Sequence, residues 1–245
     1  MKSNRYILIE LIMTGILLLL CVSIYNKRID AVESNSHNSN VLKKGCYLTF
    51  DDGPSNNSDE ILDILKKYNA KATFFLIGSE ISEEKRTIIE RIVEEGHAVG
   101  LHSNVHDFNE LYAGIDVCVQ DFEAQYKLLK EDYGIDTKIF RFPGGSACSY
   151  MNGQRQSYIQ AMKEKGYVGF DWHVSGEDSY GNPTVWSIQK NVLDNIGDYQ
   201  KPIILLHDIN IADATVEALP GILEQLLVQG YCFETLEEAE EYLYR

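Results

Sequence analysis

The 245-residue sequence predicts an α/β domain built on a mainly parallel sheet or barrel, preceded by an apolar N-terminal segment. Three observations carry that reading. From Gly45 onward, short β-favouring runs alternate with stretches of helical periodicity. Several runs stop abruptly at Gly or Pro instead of fading into the next helix. Polar clusters, Asp51-Asp52, His102, Arg141 and His207-Asp208, fall at the ends of these runs, the mouths where α/β barrels keep their chemistry.

The elements follow in order. Residues 45–50 form a first strand, because Tyr47, Thr49 and Phe50 suit a half-buried pleat and Gly53-Pro54 cannot continue it. Residues 58–69 carry Ile61, Leu62, Ile64, Leu65 and Tyr68 at helical spacing, and 72–77 read as a buried strand ended by Gly78. A helix is expected over 83–95, a short strand over 98–101 and a longer helix over 115–133, stopped by Gly134. Residues 138–142 read as a strand, 157–165 as a helix and 167–172 as a strand, with Asn182-Pro183 as the cap and first turn of another helix. Residues 202–206 are the most apolar strand. A helix over 214–229, a last strand over 231–233 and an acidic terminal helix over 235–244 complete the chain.

Ahead of the domain, residues 6–25 are almost wholly apolar, and about 20 such residues span a bilayer as a helix. The segment reads as a transmembrane anchor; a cleaved signal peptide is the competing reading, although no Ala-x-Ala pattern follows. Residues 26–44 are polar, include His37, and read as a flexible linker to a single domain over 45–245. The net charge of −15, with no basic stripe, argues against a nucleic-acid partner. Five scattered cysteines without a Cys-x-x-Cys pair form neither a zinc finger nor a disulfide framework. Buried thiols are expected, with a Cys46–Cys232 bridge between first and last strands as the alternative.

Adjacent residues at a strand end point in different directions, so one of Asp51 and Asp52 can bind a cation while the other acts as a base. His102 and His106, on one helical turn, would face the same way; with Asp52 they form a set of two nitrogens and one oxygen that suits zinc with an open position. Ser103 stands where a His-Glu-x-x-His box has its base, so that box is excluded. His97 has no partner at ligand spacing and is expected to be a satisfied core or turn histidine. His207, at a strand mouth, can protonate a leaving group. Arg141 can pair with Asp51 and orient it, since a fixed cation favours the charged form of a carboxylate. Gly144 and Gly145 let backbone N–H groups approach a developing oxyanion.

Taken in sequence, Thr49-Phe50-Asp51-Asp52-Gly53, His102-Ser103-Asn104-Val105-His106, Arg141-Phe142-Pro143-Gly144-Gly145 and Leu205-Leu206-His207-Asp208 resemble the motifs of the polysaccharide deacetylases of the NodB-homology type, carbohydrate esterase family four. The resemblance covers residues 45–245 and implies a distorted (β/α) barrel of about seven strands. It implies Asp51 as general base, Asp52, His102 and His106 as ligands of a divalent metal (zinc, or cobalt), Arg141 as orienter of the base and His207 as general acid. Gly144, Pro143 and Leu205 would lie on the oxyanion and substrate side. In the stretch from Trp172 to Ser179, Asp178 can tune His207, but Ser175 and Ser179 replace an aspartate and a tryptophan of the family pattern. Gly144 likewise stands where an aromatic is usual. The sugar groove would then need a wall from elsewhere, such as Trp172, Tyr180 or Trp186. The implied reaction is hydrolysis of N-acetyl groups on an amino-sugar polymer, with peptidoglycan N-acetylglucosamine as the leading substrate. Exopolysaccharide, chitin oligomer and acetyl xylan are alternatives, as is a catalytically weak wall-binding module.

Overall fold

The computed structural model describes residues 44–239. The apolar segment 6–25, the linker up to residue 43 and the stretch 240–244 of the expected terminal helix lie outside the described residues. Among the described residues no helix is long and apolar enough to cross a membrane.

Strand β1 (Lys44–Gly53) is the centre of the sheet. Around it lie β2 (Ala72–Leu76), β3 (Ala98–Leu101), β4 (Ile139–Phe140), β5 (Val168–Gly169), β6 (Val174–Ser175) and β7 (Ile203–His207). They form a curled parallel sheet in the order β5-β4-β3-β2-β1-β7-β6, and β8 (Tyr231–Phe233) pairs with the start of β1. β1 thus carries three neighbours: Lys44 to Cys46 pair with β8, and Tyr47 to Asp51 pair with β7 on one side while Leu48 to Gly53 pair with β2 on the other. Among the described residues no pairing joins β5 to β6, so the half-barrel stays open there. Helices α1 (Ser58–Lys67), α2 (Arg86–Glu94), α3 (Phe108–Leu111), α4 (Ile115–Tyr133), α5 (Arg155–Glu164), α6 (Val185–Asn195) and α7 (Asp213–Val228) connect the strands.

Strand side chains alternate between two faces. The outer set, Leu48, Phe50, Phe74, Leu76, Leu101, Phe140, Ile204 and Leu206, packs in one large core with helix residues such as Ile61, Ile89, Phe122 and Ile222. The inner set begins apolar at the bottom of the barrel, with Tyr47, Phe75, Ala98, Ile139 and Ile203 closed over by Leu236. Two or four residues further along the same faces come Asp51, His102, Arg141 and His207. The period of two therefore carries each strand from a dry floor to a polar mouth, and the functional groups share one face because the strands run parallel.

Several expectations shift. The helix over 83–95 is a 3-10 turn, Glu83–Lys85, followed by α2; Lys85 N–H bonds back to Ser82 O at 3.0 Å, and its ammonium is tied to the Pro54 carbonyl at 2.6 Å. The strand over 138–142 shortens to β4, although the Arg141 N–H beyond it still bonds to Leu101 O at 2.9 Å. Thr184, not Asn182, caps α6: its hydroxyl accepts from Ser187 N–H while the Ser187 hydroxyl accepts from Thr184 N–H, a reciprocal box. The start of the expected terminal helix is a 3-10 turn, Leu236–Glu238, with Leu236 N–H bonded to Thr73 Oγ1 at 2.9 Å and its side chain buried. α3 and β6 were not foreseen. Cys46 and Cys232 are neighbours on β1 and β8 and both are thiols; burial, then the nearby Cys232, pushes the Cys46 thiol far up.

Candidate active site

A bulge, not simple alternation, places the acid pair. Asp51 pairs with Phe75 and Gly53 with Leu76, so the register skips Asp52, which adopts a left-handed φ of 73°. Alternation alone would turn Asp52 to the outer face. Instead both carboxylates converge on His102, whose Nε2 lies 3.6 Å from Asp51 Oδ2 and 3.3 Å from Asp52 Oδ1.

His102 and His106 do not lie on a helical turn. They sit in the loop after β3, where Ser103 (φ 76°) and His106 (φ 56°) are left-handed and the His106 N–H bonds to Ser103 Oγ at 2.9 Å. Helix α4 holds that loop through residues one turn apart: Asp121 accepts from Asn104 and Val105 N–H, and Gln125 Oε1 accepts from His102 N–H at 3.1 Å. His106 Nε2 thereby reaches 3.2 Å from Asp52 Oδ1. Left-handed backbone at non-glycine residues costs about 1–3 kcal/mol each and collects at functional sites.

This trio fits a divalent cation. One ligand atom from each of Asp52, His102 and His106 lies within 4.8 Å of the others. Asp52 Oδ1 is buried and accepts no hydrogen bond of sound geometry, although both imidazoles are at contact distance. His102 Nδ1 lies 3.0 Å from the Arg141 carbonyl, which can only accept, so Nδ1 carries a proton and Nε2 is the ring atom turned to the carboxylates. Burial opposes charge on Asp52, but the two imidazoles outweigh it and hold the carboxyl well below its usual range. Burial also opposes a proton on His102, and Asp51 and Asp52 overcome it, so the pocket draws positive charge. Three inward donors with an open side are the set expected of a catalytic metal site.

Arg141 is fully buried, with every arm engaged. Its Nη1 donates to Asp51 Oδ1 at 2.6 Å and Thr49 Oγ1 at 2.8 Å, its Nε to Phe170 O at 2.9 Å and its Nη2 to Asp171 O at 3.1 Å. The guanidinium stacks 4.3 Å from the Phe75 ring centroid and 5.6 Å from that of Trp172. Gly100 makes room for this: a Cβ there would fall 2.4 Å from Phe75 Cδ1.

His207 stands beside Asp51 in register on the neighbouring strand. Its Nδ1 is 2.8 Å from Asp178 Oδ1, and its own N–H donates to Asp178 Oδ2 at 2.9 Å, an oxygen that also accepts from Thr215 Oγ1. Burial alone would lower the imidazole pKa; the Asp178 hydrogen bond, with the charges of Asp178, Asp51 and Asp52, raises it to about 8. Asp208 points the other way, accepting from the hydroxyls of Ser55 and Ser58 at 2.5 Å each and pinning the loop after the acid pair.

The loop after Arg141 turns at Gly144 (φ 73°) and Gly145 (φ 76°), and among the described residues the Gly144 N–H has no acceptor. Asp171 holds this loop by accepting from Ser146 N–H at 2.9 Å and Ser146 Oγ at 2.5 Å. Pro143 is buried, and its carbonyl accepts from Tyr112 OH at 2.7 Å. Leu205 is buried on the His207 face of β7. Of the three aromatics expected as groove walls, Trp172 lies against Gly145 and Arg141, while Tyr180 and Trp186 are exposed. His97 is buried at the opposite end of β3; its Nδ1 accepts from Ala72 N–H at 3.2 Å, but its Nε2 is without a hydrogen bond, so it is only half satisfied.

The structure therefore brings Asp51, Asp52, His102, His106, Arg141, Asp178 and His207 together at one mouth. Sequence reasoning passed over Asp121, Gln125 and Asp171, and although Thr49 and Asp208 lie in its motifs it gave them no part in holding those groups in place. Asp121 and Gln125 sit at a four-residue spacing on a long helix, but nothing local says that their face meets the histidine loop.

A family model described as polysaccharide deacetylase matches residues 38–169. A peptidoglycan-N-acetylglucosamine deacetylase of Bacillus cereus is 36% identical over 205 residues, covering 82% of this chain and 72% of that protein. The catalytic domain of a peptidoglycan N-acetylglucosamine deacetylase of Eubacterium rectale superposes with a TM-score of 0.76 at 30% identity, covering 84% of this chain and 94% of that one. A polysaccharide deacetylase of Bacillus cereus gives 0.71 at 36% identity over 81% and 94%. The chain belongs to the polysaccharide deacetylase family, the group of NodB-homology and carbohydrate esterase family four domains.

Proposed function

We propose that this protein is a metal-dependent hydrolase that removes N-acetyl groups from a cell-wall amino-sugar polymer, with peptidoglycan N-acetylglucosamine as its substrate and zinc as its metal. The observation that carries the reading is the convergence of Asp52, His102 and His106 within 4.8 Å of one another, directly beside the buried Asp51–Arg141 pair. Asp52, His102 and His106 would hold a divalent cation, which would supply the Lewis-acid chemistry for activating water and polarising an acyl oxygen. Asp51, fixed by Arg141, takes a proton from the attacking water as its oxygen bonds to the acetyl carbon. The Gly144 N–H donates to the oxygen that gains charge. His207, kept protonated by Asp178, gives its proton to the amide nitrogen as the C–N bond breaks, leaving acetate and a free amine. Peptidoglycan is favoured by the names of the similar proteins.

We place residues 6–25 as a membrane anchor that presents the domain outside the cytoplasm. Cell fractionation checks this, since a protein recovered from the medium with a new N-terminus after that segment removes it. Activity is tested with Asp51→Asn in the full chain, on acetylated peptidoglycan with added zinc. Acetate release should fall by about 10²–10⁴-fold. A wild-type protein that releases no acetate from any acetylated glycan, with zinc or cobalt, leaves a binding module in place of an enzyme.

A further inference from the structure

The Gly144 N–H, the oxyanion donor of the deacetylase reading, shares a peptide unit with the Pro143 carbonyl. The N–H and C=O of a trans peptide point in opposite directions, so whatever fixes one aims the other. That unit is the centre of a turn. Gly145 N–H closes the turn on Phe142 O at 2.8 Å, Pro143 takes the second position and Gly144, at φ 73°, the third, the pattern of a type II turn. Types I and II differ chiefly by a flip of this central peptide, and a glycine in third place can adopt either. Flipped, the turn would present a carbonyl to the mouth where the chemistry needs a donor.

The flanks leave that choice open. Asp171 accepts from Ser146 N–H and Oγ, and Trp172 lies where a Gly145 Cβ would fall at 2.9 Å, so both anchor the turn beyond its centre. The centre is held from α3. Tyr112, at the C-terminal cap of that helix, donates its hydroxyl to Pro143 O at 2.7 Å. Tyr112 is 5% exposed, its ring lies edge-on to Phe108 at 6.0 Å and to Tyr158 at 5.7 Å, and its own carbonyl accepts from Tyr158 OH at 3.2 Å. Its hydroxyl is therefore a fixed point, and the carbonyl bonded to it is directed into buried aromatic packing.

We infer that Tyr112 is a positioning residue for the proposed hydrolysis: its hydroxyl holds the Pro143–Gly144 peptide in the type II orientation and so aims the Gly144 N–H at the developing oxyanion. The inference rests on the deacetylase reading and adds to it a group that acts through the backbone. Without the hydroxyl the carbonyl is stranded among rings, which disfavours this orientation by roughly ten- to hundredfold, whereas the flipped turn carries the carbonyl to water.

The test compares full-length, zinc-loaded wild type, Tyr112→Phe and Tyr158→Phe on a β-1,4-linked N-acetylglucosamine pentamer. Tyr112→Phe keeps the ring and removes one hydrogen bond; kcat should fall roughly tenfold while KM and bound zinc stay as in wild type, because the donor acts on charge that appears in the transition state. Tyr158→Phe takes a buried hydroxyl from the same cluster without touching the turn and should keep the wild-type kcat. An unchanged kcat in Tyr112→Phe, a loss carried by KM, or an equal loss in Tyr158→Phe overturns the assignment and leaves the deacetylase reading standing. If wild type releases no acetate, that reading is what fails, and NMR then reads the turn directly, since Pro143 Hα and the Gly144 N–H are close in type II and apart in type I. A strong nuclear Overhauser effect in wild type that weakens in Tyr112→Phe keeps Tyr112 as the residue that sets this peptide. Equal effects in both proteins, or a weak one in wild type, remove it.

Discussion

Asp178 grips His207 twice, taking the ring Nδ1 at 2.8 Å with one carboxylate oxygen and the backbone N–H at 2.9 Å with the other. The imidazole is thus fixed in position and tautomer by one side chain, itself braced by Thr215. Its pKa of about 8 suits a group that must give up a proton near neutrality.

A sign follows for the pH profile. An acid works only while protonated, so the alkaline limb of the profile should fall as pH rises through about 8. In Asp178→Asn the hydrogen bond and charge that raise the pKa are weakened, burial acts with less opposition, and the alkaline limb of kcat/KM should move to lower pH. A limb that stays in place takes His207 out of the acid role.

The metal trio makes a prediction in stoichiometry. Elemental analysis of wild type should find about one divalent ion per chain. Asp52→Ala, His102→Ala and His106→Ala should each bind far less. Exhaustive chelation should abolish acetate release and added zinc restore it; activity that survives chelation counts against the assignment.

Arg141 and Asp51 are buried together, so removing one strands the other. Arg141→Met should cost about 3–5 kcal/mol in denaturant unfolding. Arg141→Lys keeps the charge but loses the fork that serves Asp51, Thr49 and two carbonyls at once, and should lower kcat while binding metal normally.

Gly100 lies under the Phe75 ring on which the Arg141 guanidinium rests. Gly100→Ala should destabilise the fold by about 1–3 kcal/mol, because admitting the methyl forces the Phe75 ring or the strand to shift within a close-packed interior. Acetate release should fall with it as Phe75 shifts; unchanged stability and kcat would show that this contact is slack.

Much of this was legible in the linear chain. Apolar runs of four to six residues marked β2, β3 and β7, and Gly134 marked the end of α4, because burial on both faces and backbone chirality act within a few residues. The order of Asp51-Asp52, His102, His106, Arg141 and His207, each near a strand end, located the site and suggested its chemistry. The tertiary structure decided what depends on distant partners. The bulge that swings Asp52 back beside Asp51, the loop that aims His106, and the clasp of Asp178 on His207 all arise from contacts across tens of residues. The placement of Phe108 against Gly144 is of the same kind: the family resemblance marks Gly144 as standing where an aromatic is usual, and only packing shows that Phe108 lies beside it. Side-chain chemistry and local periodicity are properties of neighbours in sequence, whereas the aim of a ligand or a proton donor is set by whichever strand, helix or loop folds against it.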